Sequence, residues 1–134
     1  MPEASLAIIA LLAMAQPGLG RPDAFQPNVA ATCARVVSEE TFQRVRRRAA
    51  IDPVVNRVRI GRDGSIRWNG SLVNAATLGQ YFELTTTMRP TPYLAVRVDR
   101  DADPARVALA RHAIHRRAHC PPTEAWRSSD GRPF

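Results

Sequence analysis

The chain has 134 residues, 45% of them hydrophobic, which is enough for one small domain with one modest core and too little for a second. Its formal charge of +7 rests on 19 basic residues, every one an arginine. They are scattered along the chain without interleaved aromatics, which excludes the stacking pattern of a nucleic-acid binder and leaves non-specific attraction to anionic neighbours.

The first element is an apolar run, "SLAIIALLAMA", that ends in Ala13-Met14-Ala15 and is broken by Pro17 and Gly18. It predicts a signal peptide over residues 1–15, cleaved after Ala15, and hence a periplasmic or secreted protein. The run is too short to span a bilayer, which takes about 20 apolar residues, so no membrane span is expected. Glu3 stands where such a leader has Lys or Arg; a buried N-terminal helix or a misassigned start is the alternative. Residues 16–37, rich in proline and glycine at their start, read as a linker. The two cysteines, Cys33 and Cys120, have only one intramolecular pairing, and export predicts that they form it.

Residues 38–51 carry the signals of a helix. Ser38 is a fitting N-cap, Glu39 and Glu40 suit the first turn and Arg46, Arg47 and Arg48 the last, while Phe42, Val45 and Ala49 share a face. The arginine run reads as a solvated helix face, and Asp52-Pro53 is the expected stop. "VVNRVRI" and "SIRWNG" flank the glycine-bearing turn "GRDGS" and predict a hairpin with Ile66 and Trp68 on one side. Asn74 then caps a helix with Leu78, Tyr81, Phe82 and Thr85 along a stripe, which Arg89-Pro90 is expected to end. "YLAVRV" is a third strand. "DPARVALARHAIHRRAH" is a second amphipathic helix with Pro104 in its first turn and Val107, Ala110, Ile114 and Ala118 on its apolar side. The expected class is α+β, a small sheet of a hairpin plus a third strand covered by two helices, with an extra N-terminal helix. The domain spans residues 52–120, and 121–134 read as a flexible tail.

Few side chains suggest chemistry. His112, His115 and His119 fall on one side of the last helix at i, i+3 and i+7, a spacing able to hold a metal. One helix rarely supplies a closed shell, and the neighbouring arginines repel a cation, so a solvated His/Arg face is the preferred reading over a metal-dependent protein. Asp99, Asp101 and Asp103 imitate part of a calcium loop without its glycine or distal Glu, and read better as a turn that caps the helix after them. With no nucleophile elbow and no glycine-rich phosphate loop, neither an enzyme nor a cofactor is expected.

Two blocks resemble the periplasmic domain of the ExbD/TolR biopolymer-transport family. In the first, Asp63 and Gly64 stand at the family's strand turn, Asn69 and Gly70 end the next short strand, Val73 follows, and Leu78 opens the helix. In the second, a hydrophobic strand ends at Asp99 and an eight-residue step leads to Val107 in an arginine-rich helix. The resemblance covers about residues 54–119. It implies a non-enzymatic interaction module of envelope energy transduction or biopolymer transport, with envelope proteins or cell-wall polymer as partners, a homodimer as its assembly and no nucleic acid. It also implies a transmembrane helix, for which no counterpart is expected in these residues, and a final strand after Ala118, where "CPPTEAWRSSDGRPF" shows little alternation. The alternative is a small secreted basic domain that binds anionic envelope material and has no tie to transport.

Overall fold

The computed structural model describes residues 29–118, 120 and 124–128. The expected signal peptide, His119 and much of the expected tail lie outside them. A short helix α1 (Val29–Ala34) leads into strand β1 (Val36–Ser38) and then helix α2 (Glu39–Arg48). The Ser38 hydroxyl accepts from the Thr41 backbone N–H at 3.1 Å, so the predicted cap forms. The hairpin follows as β2 (Val55–Ile60) and β3 (Ile66–Trp68), and a two-residue turn adds β4 (Ser71–Leu72). Helix α3 (Ala75–Thr85) starts where the Asn74 side chain accepts from Thr77 N–H at 2.8 Å. Strand β5 (Tyr93–Val98), helix α4 (Pro104–Ala118) and a 3-10 turn (Glu124–Trp126) complete the described chain.

Among the described residues the class is α+β, with four helices and a mixed five-stranded sheet in the order β1-β5-β2-β3-β4. Strand β5 runs parallel to both β1 and β2 and lies between them, while β2-β3 and β3-β4 are antiparallel. Paired residues point to the same side, so alternation sorts the sheet into two faces. One carries Leu94, Val96 and Val98 of β5 with Val58 and Ile60 of β2 and Ile66 of β3, all buried. Helices α3 and α4 cover that face through Leu78, Phe82, Val107, Ala110 and Ile114, each 0% exposed. They approach closely: a Cβ added to Gly79 of α3 would lie 3.1 Å from the Ala113 carbonyl oxygen of α4. The opposite face is half-covered, with Phe42 of α2 packed against Tyr93 at 5.7 Å between ring centroids.

Several expectations need correction. The sheet has five strands where three were expected, because β1 and β4 are too short for alternation to reveal them. Residues 29–37, expected as linker, contain α1 and most of β1, and Cys33 of α1 is joined by a disulfide to Cys120. Helix α3 ends at Thr85, ahead of Arg89-Pro90, since the hydroxyls of Thr85, Thr86 and Thr87 donate to the carbonyls of Phe82, Glu83 and Leu84 and satisfy its last turn. Tyr81 of the predicted stripe is instead 41% exposed, resting on Trp68. Of the expected flexible tail, Ala125 and Trp126 are buried in the core and Ser128 forms a parallel bridge to Val98. A tryptophan buries enough apolar surface to hold residues 124–128 against the core.

Candidate functional site

The residues singled out by the two sequence blocks mostly build turns and core. Asp63 Oδ1 accepts from the Ser65 backbone N–H at 3.0 Å and from its hydroxyl at 2.6 Å, closing the β2-β3 loop. These two donors, the hydroxyl first, hold the Asp63 carboxyl below its ordinary pKa. A Cβ added at Gly61 would lie 2.5 Å from both Asp63 Oδ1 and Ser65 Oγ, so a side chain there would displace this pair. Asn69 and Gly70 both have positive φ, 49° and 88°, which makes the β3-β4 turn of the primed type. The Asn69 side chain is stitched to β2, accepting from Arg57 N–H at 2.7 Å and donating to Asn56 Oδ1 at 3.0 Å. Val73 packs against the core, and Leu78 and Val107 are within it.

The last helix offers anchoring contacts. Asp103 Oδ1 accepts from Ala105 N–H at 2.9 Å and so caps α4, while Asp101 is exposed in the turn before it. His115 Nδ1 donates to the Cys120 carbonyl oxygen, which ties the helix to the disulfide, and its ring lies 6.4 Å from that of Trp126. His112 is exposed. Among the described residues no three His, Cys, Asp or Glu side chains come together in a way that could hold a metal, and His119 lies outside that set.

Asp99 and Gly70 border a feature that the sequence reading missed. On the half-covered face, Arg59 of β2 is paired directly with Arg67 of β3 and with Arg97 of β5, so three arginines stand in one row across three strands. Arg57 lies one step along β2 on the same face. Neighbouring strands are about 4.8 Å apart, and like charges directly opposite one another are unfavourable. Carboxylates offset part of this cost. Asp99, with a side chain 18% exposed, accepts from Arg59 Nε at 3.1 Å and Nη2 at 3.0 Å and lies 3.7 Å from Arg97 Nε. The same contact, first as hydrogen bond and then as charge, raises the Arg59 pKa above its ordinary value. Arg57 Nε lies 3.3 Å from both oxygens of Glu39, and its guanidinium sits 5.3 Å from the centroid of the Phe42 ring. Arg67 donates to the Gly70 carbonyl at 3.0 Å.

Arg57, Arg59, Arg67, Arg97 and Glu39 line a cavity of about 270 Å³ together with Gly70 and the backbone at Val58, whose own side chain is in the core on the other face. The signal was present in "NRVRI", "SIRWN" and "AVRVD": in each, arginine holds the polar positions of an alternating strand. Register, which brings the three together, was not readable from them. Comparison with protein-family models, with curated proteins and with solved structures gives no match for this chain.

Proposed function

We propose that the chain is a non-enzymatic interaction module of the cell envelope, similar to the periplasmic domain of ExbD/TolR proteins, which works by contact with envelope proteins, cell-wall polymer or a second copy of itself. The observation that carries this reading is the order of elements: a hairpin with an Asp-Gly loop, an Asn-Gly turn, a helix, a strand parallel to the first, and an arginine-rich helix. The turns that the resemblance rests on are made by Asp63, Gly64, Asn69 and Gly70 themselves, through positive φ at the last three and a side-chain bond at the first. The Cys33-Cys120 disulfide supports a compartment outside the cytoplasm, where such bonds persist. No described helix is long and apolar enough to cross a membrane.

The test is a graft. Residues 29–134 replace the periplasmic domain of an ExbD or TolR protein in a deletion strain, and energy-dependent outer-membrane function is scored. Partial restoration is expected. A chimera that accumulates in the envelope with its disulfide formed, and restores nothing, sinks the reading.

A further inference from the structure

We propose that the arginine-lined cavity on the half-covered sheet face binds the phosphate or diphosphate group of a small soluble molecule. This inference is independent of the transport reading. Four guanidinium groups line the cavity; Glu39 and Asp99 pair with Arg57 and Arg59, and Asp63 lies within charge range of Arg59 and Arg67, so cations still outnumber carboxylates at one spot. Three of those guanidiniums are in direct register, a placement that costs stability in the free protein and that an entering anion relieves.

The donors are also prepared for a ligand. Each guanidinium has five N–H groups in a rigid fork that matches an oxyanion. Arg59 commits its Nε and Nη2 to Asp99 and is thereby held in place, with its remaining donors still available. Arg67 commits one donor to Gly70, and Arg97 keeps only the longer contact of 3.7 Å with Asp99 while its side chain is 59% exposed. Arg57 is fixed from below by the Phe42 ring and from the side by Glu39. The result is a set of oriented cations in which Arg67 and Arg97 have the most to gain.

Charge and size select the ligand. Two carboxylates already occupy the cluster, so a newcomer must outdo a monoanion, and a phosphate at neutral pH carries about −1.5 to −2 with three acceptor oxygens. The cavity of about 270 Å³ is slightly below the usual range for drug-sized ligands and suits a small group. Among the described residues no aromatic ring lines it on which a base could stack, which argues against single-stranded nucleic acid. The concavity between Glu39 of α2 and the Gly70 turn favours a soluble source over a flat bilayer surface.

The probe is inorganic pyrophosphate, titrated calorimetrically into the full disulfide-bonded chain at low ionic strength, with malonate as the carboxylate control. Saturable one-to-one binding is expected, at least about tenfold tighter than malonate, together with a rise in melting temperature. Arg67→Gln and Arg97→Gln should each weaken it about tenfold or more, and Arg67→Lys should fail to restore it because the fork is lost. Arg47→Gln and Arg116→Gln remove the same charge elsewhere and should change it little. Without ligand, Arg67→Gln should melt no lower than the parent, which separates lost binding from lost folding. Equal weakening in all four glutamine variants would reduce the effect to net charge and overturn the proposal. So would parity with malonate, the absence of saturable binding, or binding to phosphatidylglycerol vesicles while pyrophosphate fails.

Discussion

Removal of the Cys33-Cys120 bridge by a double serine replacement is expected to destabilise the domain severely. The two cysteines are 87 residues apart, and the chain-entropy relation for a loop of that length gives about 15 cal/mol/K, hence about 4.6 kcal/mol near room temperature. Native domains of this size are stable by about 5–15 kcal/mol, so the loss is a third of the total at best and nearly all of it at worst. The bridge also closes the molecule spatially, because it joins α1 to the segment that delivers Trp126, which is 2% exposed, into the core. Urea unfolding followed by tryptophan fluorescence measures the effect through Trp68 and Trp126. The expected result is a loss of about 3–5 kcal/mol with an increased m value, since the open denatured chain exposes more surface, and a melting point lower by about 20 °C. A loss under about 1 kcal/mol with m unchanged would refute the reasoning, by showing that the denatured chain keeps its ends together without the bond.

Phe82→Ala empties a fully buried site between sheet and helices and should cost about 3–5 kcal/mol, whereas Leu84→Ala, at a position 59% exposed, should stay within about 0.5 kcal/mol; paired chemical denaturation curves check both. Gly70→Ala isolates backbone conformation, because an added Cβ meets nothing within 4 Å while φ is +88°; thermal melts should show a loss of about 1 kcal/mol. Ser65→Ala removes the hydroxyl that lowers the Asp63 pKa. With the folded value depressed, that carboxylate's contribution is fully present above the unfolded value of about 3.9 and is lost as pH falls through the folded one. NMR titration should therefore find the Asp63 midpoint higher in Ser65→Ala than in the parent, and an unmoved midpoint would contradict the assignment of the donor.

Local patterns announced the local elements. Ser38, Asn74 and Asp103 cap the helices they precede, and β5 follows the limits of "YLAVRV", because capping and alternation depend on residues within one turn or one strand of each other. The elements that stayed hidden depend on distant partners. Strand β1 has three residues and is a strand only because β5 runs beside it, with Val36 opposite Leu94 some sixty positions later. Strand β4 has two residues and exists through the Asn69-Gly70 turn that folds it back on β3. The threonine run that begins at the end of α3 has the pattern of a continuing helix, yet its hydroxyls satisfy the helix's own last carbonyls and let it stop.

The arginine row follows the same logic at the level of the site. In each of three strands the alternation requires a polar residue on the face away from α3 and α4, and arginine fills that place at positions 59, 67 and 97. Taken singly these are solvated side chains on a half-buried strand. They become one charged surface because β5 enters the sheet between β1 and β2 in a register that sets Arg97 beside Arg59, and because the β2-β3 loop sets Arg67 on the other side. A one-residue slip of β5 would turn Arg97 into the core and Val96 and Val98 out to solvent, so hydrophobic burial itself enforces the charge alignment. The like-charge cost is thus imposed by the core and offset in part by Asp99, Glu39 and Asp63, while Arg67 finds its hydrogen-bond acceptor in the Gly70 carbonyl.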